Sequence, residues 1–307
     1  MRGLDEAREL YLNYGREMIH ERFPGYEAKI AVGLAGHGSE CFGFDDELSR
    51  DHDFPLGFCL WIDDETDREI GIELDRAYRS LPIRAAGERS LMAEKSRGVC
   101  RIGDFYRRYT GAPGAPEELL HWLSLPSYAL AEATNGEVWR DELGLFTGIR
   151  EKLLRGMPED VRLKKLAART IEMAQTGQYN FSRMLKRGDI GAAMLCLGRF
   201  INAACEAVYL LNRRHMPYYK WQLKAMEGLG IMAYMKEAFE FLLTAENDNG
   251  TLELKAKVVE DICRELGMKL KKLGLSSGDW DYLEPHAFEI TKRIESRELR
   301  AMHITEG

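Results

Sequence analysis

The chain has 307 residues, 45% of them apolar, and its 43 basic and 50 acidic side chains leave a net charge of −7. That length suits two ordinary domains, and the acidic balance speaks against a dedicated nucleic-acid binder, which must neutralise many phosphates. No run approaches the roughly 18 apolar residues of a membrane span, and the charged segment 1–23 lacks the apolar stretch of a signal peptide, so a cytoplasmic protein without a membrane partner is expected.

In chain order, residues 4–23 have the spacing of an amphipathic helix, with Leu4, Ala7, Leu10, Tyr11, Tyr14, Met18 and Ile19 on one face and Pro24-Gly25 as its stop. Residues 29–34 read as a strand, 36–39 as a turn, 40–48 as one or two helical turns and 57–62 as a second strand. A helix over 65–79 carries acids early and arginines late, as its dipole favours. A short strand at 99–102 precedes a helix from 103 to 109. The segment Gly111-Ala112-Pro113-Gly114-Ala115-Pro116 has linker composition. Beyond it, 117–132, 149–155, 160–186, 189–213, 217–244, 251–273 and 280–302 show helical spacing. The expected fold class is α+β: a small mixed-sheet domain over 1–110 followed by an all-helical bundle domain over 117–307. The six cysteines, at 41, 59, 100, 196, 205 and 263, form no CxxC pair. They read as reduced, mostly buried thiols, not as a zinc site.

Residues 36–53, GHGSECFGFDDELSRDHD, carry the chemistry. A glycine at 38 lets the backbone approach a phosphate without an intruding Cβ. The Ser39 hydroxyl and the N–H groups that follow it can hold phosphate oxygens. The GK[ST] ending of a P-loop is absent. On an extended strand, Asp51 and Asp53 project to one face. Two carboxylates side by side repel, and a magnesium ion turns that repulsion into binding, with substrate phosphates and waters completing its shell.

Gly38-Ser39, eleven residues, then Asp51-x-Asp53 before an apolar strand resembles the signature of the polymerase-β-like nucleotidyltransferase superfamily. More narrowly, the G-x-GSE…GFDDxxSRDHD block resembles an uncharacterised bacterial family of that superfamily, a domain of unknown function. The run Asn212-Arg213-Arg214-His215-Met216-Pro217-Tyr218-Tyr219-Lys220-Trp221 resembles the same family's helical region. The resemblance implies that Gly38 and Ser39 hold a nucleoside triphosphate, with ATP expected, and that Asp51 and Asp53 are the catalytic, metal-binding acids for one or two Mg²⁺ ions. It also implies a third carboxylate on a later strand. By position that strand is Val99-Cys100-Arg101, and this chain has Cys100 there; Asp104, Asp63, Asp64 or Glu94 is left to stand in. The implied reaction moves a nucleoside monophosphate from an NTP to an acceptor hydroxyl on a small molecule or a protein. The competing expectations are a non-catalytic NTP-binding sensor and a toxin–antitoxin-like interaction protein.

The remaining residues divide less sharply. Arg50 suits either a bidentate phosphate contact or an ordinary surface position. Lys220 is the cation of the 212–221 run best suited to the triphosphate, although a helix–proline–helix junction with packed aromatics explains the same run. His37 and His52 suit hydrogen-bonding roles beside the acids better than Mg²⁺ ligation. Glu40, Asp45, Asp46 and Glu47 read as an exposed charged face. Trp122, Tyr128 and Trp139 read as core, and His286 as structural.

Overall fold

The computed structural model describes residues 2–47, 56–83 and 97–307. The chain divides into two compact units: Met1–Pro116 with Tyr128–Gly156, and Glu117–Ser127 with Met157–Gly307.

The first unit begins with α1 (Gly3–Leu10), a π-helical turn at Tyr11–Gly15 and α2 (Arg16–Arg22), which run on as one helical stretch. The π turn inserts an extra residue and rotates the buried face. Gly15 points inward and Tyr14 is exposed, where a regular period had placed Tyr14 inside. A Cβ on Gly15 would stand 2.5 Å from the Phe58 ring, so only glycine admits that approach. Strand β1 (Ala31–Leu34) follows, then a 3₁₀ turn at Glu40–Phe42, β2 (Cys59–Ile62), α3 (Asp64–Arg79), β3 (Gly98–Arg101) and α4 (Ile102–Thr110). Of the predicted helix over 40–48, the described residues 40–47 form only that 3₁₀ turn, ended by Gly43 in the left-handed region. Asp63 accepts the Thr66 N–H at 2.8 Å and caps α3.

The Gly-Pro segment 111–116 folds back locally instead of spanning open space. The Thr110 hydroxyl contacts the Ala112 and Gly114 carbonyl oxygens at 2.9 and 3.0 Å. Helix α5 (Leu119–Ser124) opens the second unit, while α6 (Ser127–Thr134), apart from its first residue, β4 (Glu137–Arg140) and α7 (Leu145–Arg155) belong with the sheet. Residues 128–156 are therefore part of the first unit and not of a helical domain running unbroken from 117. The reason is the sheet edge. Strand β4 pairs antiparallel with β1 and covers main-chain donors and acceptors that would otherwise lie open.

The sheet order is β3-β2-β1-β4. β1 is antiparallel to both neighbours, and β2 and β3 are parallel, with Trp61 opposite Cys100. One face buries Val32, Phe58, Leu60 and Ile62 against Tyr11, Met18 and Ile19 from the first helices and Ile70 and Leu74 from α3. On the other, Trp61 stacks on Phe146 of α7 at 3.8 Å and meets Phe105 of α4 edge-on at 5.6 Å. Trp122 is buried and Trp139 stacks on Tyr11 at 5.9 Å, but Tyr128 is exposed, contrary to its reading as core.

The second unit is helical throughout its described elements: α5, then α8 (Glu159–Met173) continued by a π segment at Ala174–Phe181 and by α9 (Ser182–Lys186), α10 (Ile190–Leu211), α11 (Gln222–Met226), α12 (Met235–Thr244), α13 (Asn249–Lys272), α14 (Leu283–Lys292) and α15 (Arg297–Ala301). α8 lies at its centre, buried on nearly every side. Three of its four basic residues each bond the carboxyl end of another helix. Arg162 donates to Leu210 O of α10 at 3.2 Å, Lys164 to Met302 O at 3.0 Å just past α15, and Lys165 to Leu125 O at 2.8 Å just past α5. Carbonyls at helix ends lack intrahelical partners, and the dipole favours a cation there. This explains how a core helix carries these three charges; the fourth, Arg169, pairs with Glu172 at 2.9 Å and Glu206 at 3.6 Å. Helix α10 is long and apolar enough by composition to cross a membrane, and most of its length is buried inside the unit. His286 is buried, between the Ser276 hydroxyl at 2.7 Å and the Trp280 carbonyl at 3.0 Å.

Candidate phosphate-binding loop

Gly38 and Ser39 lie in the loop that leaves the carboxyl end of β1. Gly36 and Gly38 take φ of 110° and 123°, a region that L side chains rarely adopt. The loop is held from three directions. Asn135, between α6 and β4, accepts the Gly36 N–H at 2.7 Å and donates to the Gly36 carbonyl at 2.8 Å. Tyr109 of α4 accepts the His37 N–H at 3.2 Å through its hydroxyl oxygen. Glu40, buried, pairs with Arg97 at the start of β3. A Cβ on Gly38 would run into that same Glu40 carboxylate.

Ser39 is half-buried, and its carbonyl accepts the Phe42 and Phe44 N–H groups at 3.1 and 2.9 Å. Its hydroxyl makes no cap hydrogen bond. Among the described residues nothing accepts from the Gly38 or Ser39 N–H. A rigid loop thus presents two main-chain donors and one hydroxyl, the groups that suit a phosphate oxygen.

The predicted acids Asp51 and Asp53, and Arg50, lie outside the described residues, as do His52 and Glu94. Among the described residues no three His, Cys, Asp or Glu side chains gather where a metal ion could sit. The supposed exposed charge run divides up otherwise. Glu40 is buried against Arg97, and Asp45 accepts the Gly3 N–H at 2.8 Å at the start of α1. Both acids are built into the fold because the loop and the first helix each need an anionic partner at that point.

Cys100 stands on β3 beside Trp61 of β2, half-exposed, with the Arg108 guanidinium 3.7 Å from its sulfur. Burial pushes its thiol up to about 11, so it is neutral at pH 7. Of the acids left to replace a third carboxylate, Asp63 caps α3. Asp64 pairs with Arg101 at 3.8 Å, and Asp104 is held by Arg101 and Arg107, each at 2.6 Å. Each of the three has a structural partner.

Lys220 belongs to the second unit, is exposed, and places its ammonium 5.3 Å from the Trp221 ring centroid, with Lys224 at 5.7 Å from the same ring. Neighbouring residues of this run are structural. Arg213 ends α10 in the left-handed region and pairs with Glu159 at 2.9 Å. Asn212 accepts the Gly230 and Ile231 N–H groups at 3.0 and 2.8 Å. Glu132 of α6 places Oε1 3.5 Å from His37 Nδ1; like Asn135, Tyr109 and Arg97 it had no local signal, since each meets the loop from a distant part of the sequence.

Residues 122–222 match a family described as a Domain of unknown function (DUF4037). That stretch runs from α5 to the first residue of α11; it includes Glu132 and Asn135 and stops short of the loop itself. A nucleotidyltransferase-like protein from Exiguobacterium sibiricum 255-15 is a similar solved structure, at 12% identity over 87% of this chain and 81% of that one, with a TM-score of 0.36. No curated protein matches the chain.

Proposed function

We propose that the chain is a magnesium-dependent nucleotidyltransferase that transfers a nucleoside monophosphate from an NTP, with ATP the first candidate, to an acceptor hydroxyl on a small molecule or a protein. The observation that carries this reading is the braced Gly38-Ser39 loop, whose two N–H groups and hydroxyl have no partner among the described residues, with eleven residues between it and Asp51-x-Asp53. Ser39 and the loop amides would hold the β and γ phosphates. Asp51 and Asp53 would hold Mg²⁺, which offsets the charge of the triphosphate and of the departing pyrophosphate. Arg50 is the cation proposed to bind the triphosphate beside the loop.

A second reading, NTP binding without transfer, is favoured by one observation. The β3 position carries a neutral thiol, and Asp63, Asp64 and Asp104 are engaged elsewhere. The two are separated by incubating the protein with [α-³²P]ATP, Mg²⁺ and panels of metabolites and lysate proteins. Transfer predicts a labelled acceptor and released pyrophosphate. Measurable Mg·ATP binding with neither product overturns the transferase reading.

A further inference from the structure

We propose that residues 213–224 of the second unit bind single-stranded nucleic acid, with phosphates meeting Arg214, Lys220 and Lys224 and a base stacking on Tyr219. The net charge of −7 belongs to the chain as a whole and is unevenly spread. Between Glu206 and Glu227 there is no aspartate or glutamate, while the same stretch holds Arg213, Arg214, Lys220 and Lys224. The two acids that flank it, and Glu159, which Arg213 reaches, are already matched. Glu206 lies 3.6 Å from Arg169, Glu159 pairs with both Arg162 and Arg213, and Glu227 pairs with Lys236. Arg214 and Lys220 are exposed and make no ion pair among the described residues. An acidic chain thus carries one stretch of uncompensated positive charge.

The backbone of this stretch is pinned. α10 ends where Arg213 takes φ of 53°, in the left-handed region. Tyr209 of α10 then holds both ends: its carbonyl accepts the Arg214 N–H at 3.0 Å, and its hydroxyl donates to the Gln222 carbonyl at 2.6 Å. Between them the Ser127 hydroxyl oxygen accepts the Met216 N–H at 2.6 Å, and Met216 and Pro217 are buried. What is left to point outward is cationic and aromatic. Tyr219 is 68% exposed, with its ring centroid 4.4 Å from that of Tyr218, and the ammonium groups of Lys220 and Lys224 lie by the Trp221 ring. Cations interleaved with exposed rings suit a single strand, in which every linkage is a phosphate and every unpaired base has a face to stack. A duplex keeps its bases stacked on one another. A bilayer surface asks for apolar side chains that insert, and the exposed rings here are tyrosines. An acidic peptide would leave those rings unused.

The test is fluorescence anisotropy of the full chain with labelled oligo(U) and oligo(dT) of about a dozen residues, the pair of probes showing which sugar is preferred. Three phosphate contacts give a slope of about −2 in log affinity against log salt, roughly a twentyfold loss between about 50 and 200 mM KCl. R214A/K220A should weaken binding and make the slope shallower by about 1.4. K257A, at an exposed lysine elsewhere in the same unit, should change affinity less than about twofold. Y219A should cost about fivefold or more at an unchanged slope, and Y219F should keep wild-type affinity, because the ring and not its hydroxyl stacks. No binding of either oligonucleotide at the lowest salt, equal losses in K257A and R214A/K220A, or affinity indifferent to Y219A overturns the proposal. So does equal affinity for a duplex of the same length. Binding to phosphatidylserine vesicles with both oligonucleotides ignored also overturns it and makes the patch a membrane surface. None of these readouts involves ATP, so their failure leaves the transferase reading standing, and the failure of that reading leaves this site standing.

Discussion

Arg97 and Glu40, 57 residues apart in sequence, form an ion pair with each side chain 5% exposed. The pair ties the loop after β1 to the start of β3. Removing one partner strands a buried charge, which costs about 3–5 kcal/mol, whereas replacing both by apolar groups costs much less. Glu40→Ala is therefore expected to lower the urea midpoint sharply at unchanged m-value, and the E40M/R97M double variant to recover most of the loss.

Asn135 holds Gly36 by both its N–H and its carbonyl. Asn135→Ala leaves those two groups without partners at a buried position, a cost of about 2 kcal/mol or more. The local consequence is sharper than the global one. Amide exchange at residues 36–39 is expected to accelerate well beyond that of the β1 and β2 amides. Equal acceleration across the sheet would mean that Asn135 supports the fold at large and not the loop.

Gly38→Ala meets two obstacles, a φ of 123° and a Cβ directed into the Glu40 carboxylate. Strain of this kind costs about 1–3 kcal/mol, and its relief pushes Glu40 away from Arg97. The expected outcome is a loss of Mg·ATP affinity of more than tenfold by calorimetry, with a smaller loss from Ser39→Ala, which removes only a hydroxyl.

Lys165 is buried and bonds the Leu125 carbonyl at the end of α5. Burial lowers it from the ordinary lysine value of 10.5. In the alkaline window below 10.5 the unfolded chain then binds more protons than the folded one, so this residue's contribution makes stability rise with pH. Lys165→Met is expected to remove that rise and, by orphaning the carbonyl, to cost about 1–3 kcal/mol at neutral pH. Urea unfolding at neutral and alkaline pH measures both.

What could be read from the sequence was local and periodic. Strands β1, β2 and β3 and helices α3 and α4 follow from apolar runs, helical spacing and dipole-matched charges. The Gly38-Ser39 turn follows from residue types that few other conformations use. What escaped was non-local. Glu137-Val138-Trp139-Arg140 is too short and too polar to announce a strand between two helices, and it becomes one because β1 has an open edge. Tyr14 was misplaced because a π turn has no compositional mark. Asn135, Glu132 and Arg97 gain their roles only when the sheet brings them to the loop.

The return of residues 128–156 to the first unit also has a meaning in time. Asn135 lies 99 residues beyond Gly36. During synthesis, β1 and its loop leave the ribosome long before the segment that clamps them, and a chain stopped at Pro116 has an uncovered β1 edge and an unbraced turn. The first unit therefore reaches its final form only after α5, the first element of the second, has been made. The order of translation thus leaves an adhesive sheet edge and an unfinished loop open together, until a single stretch of chain closes both.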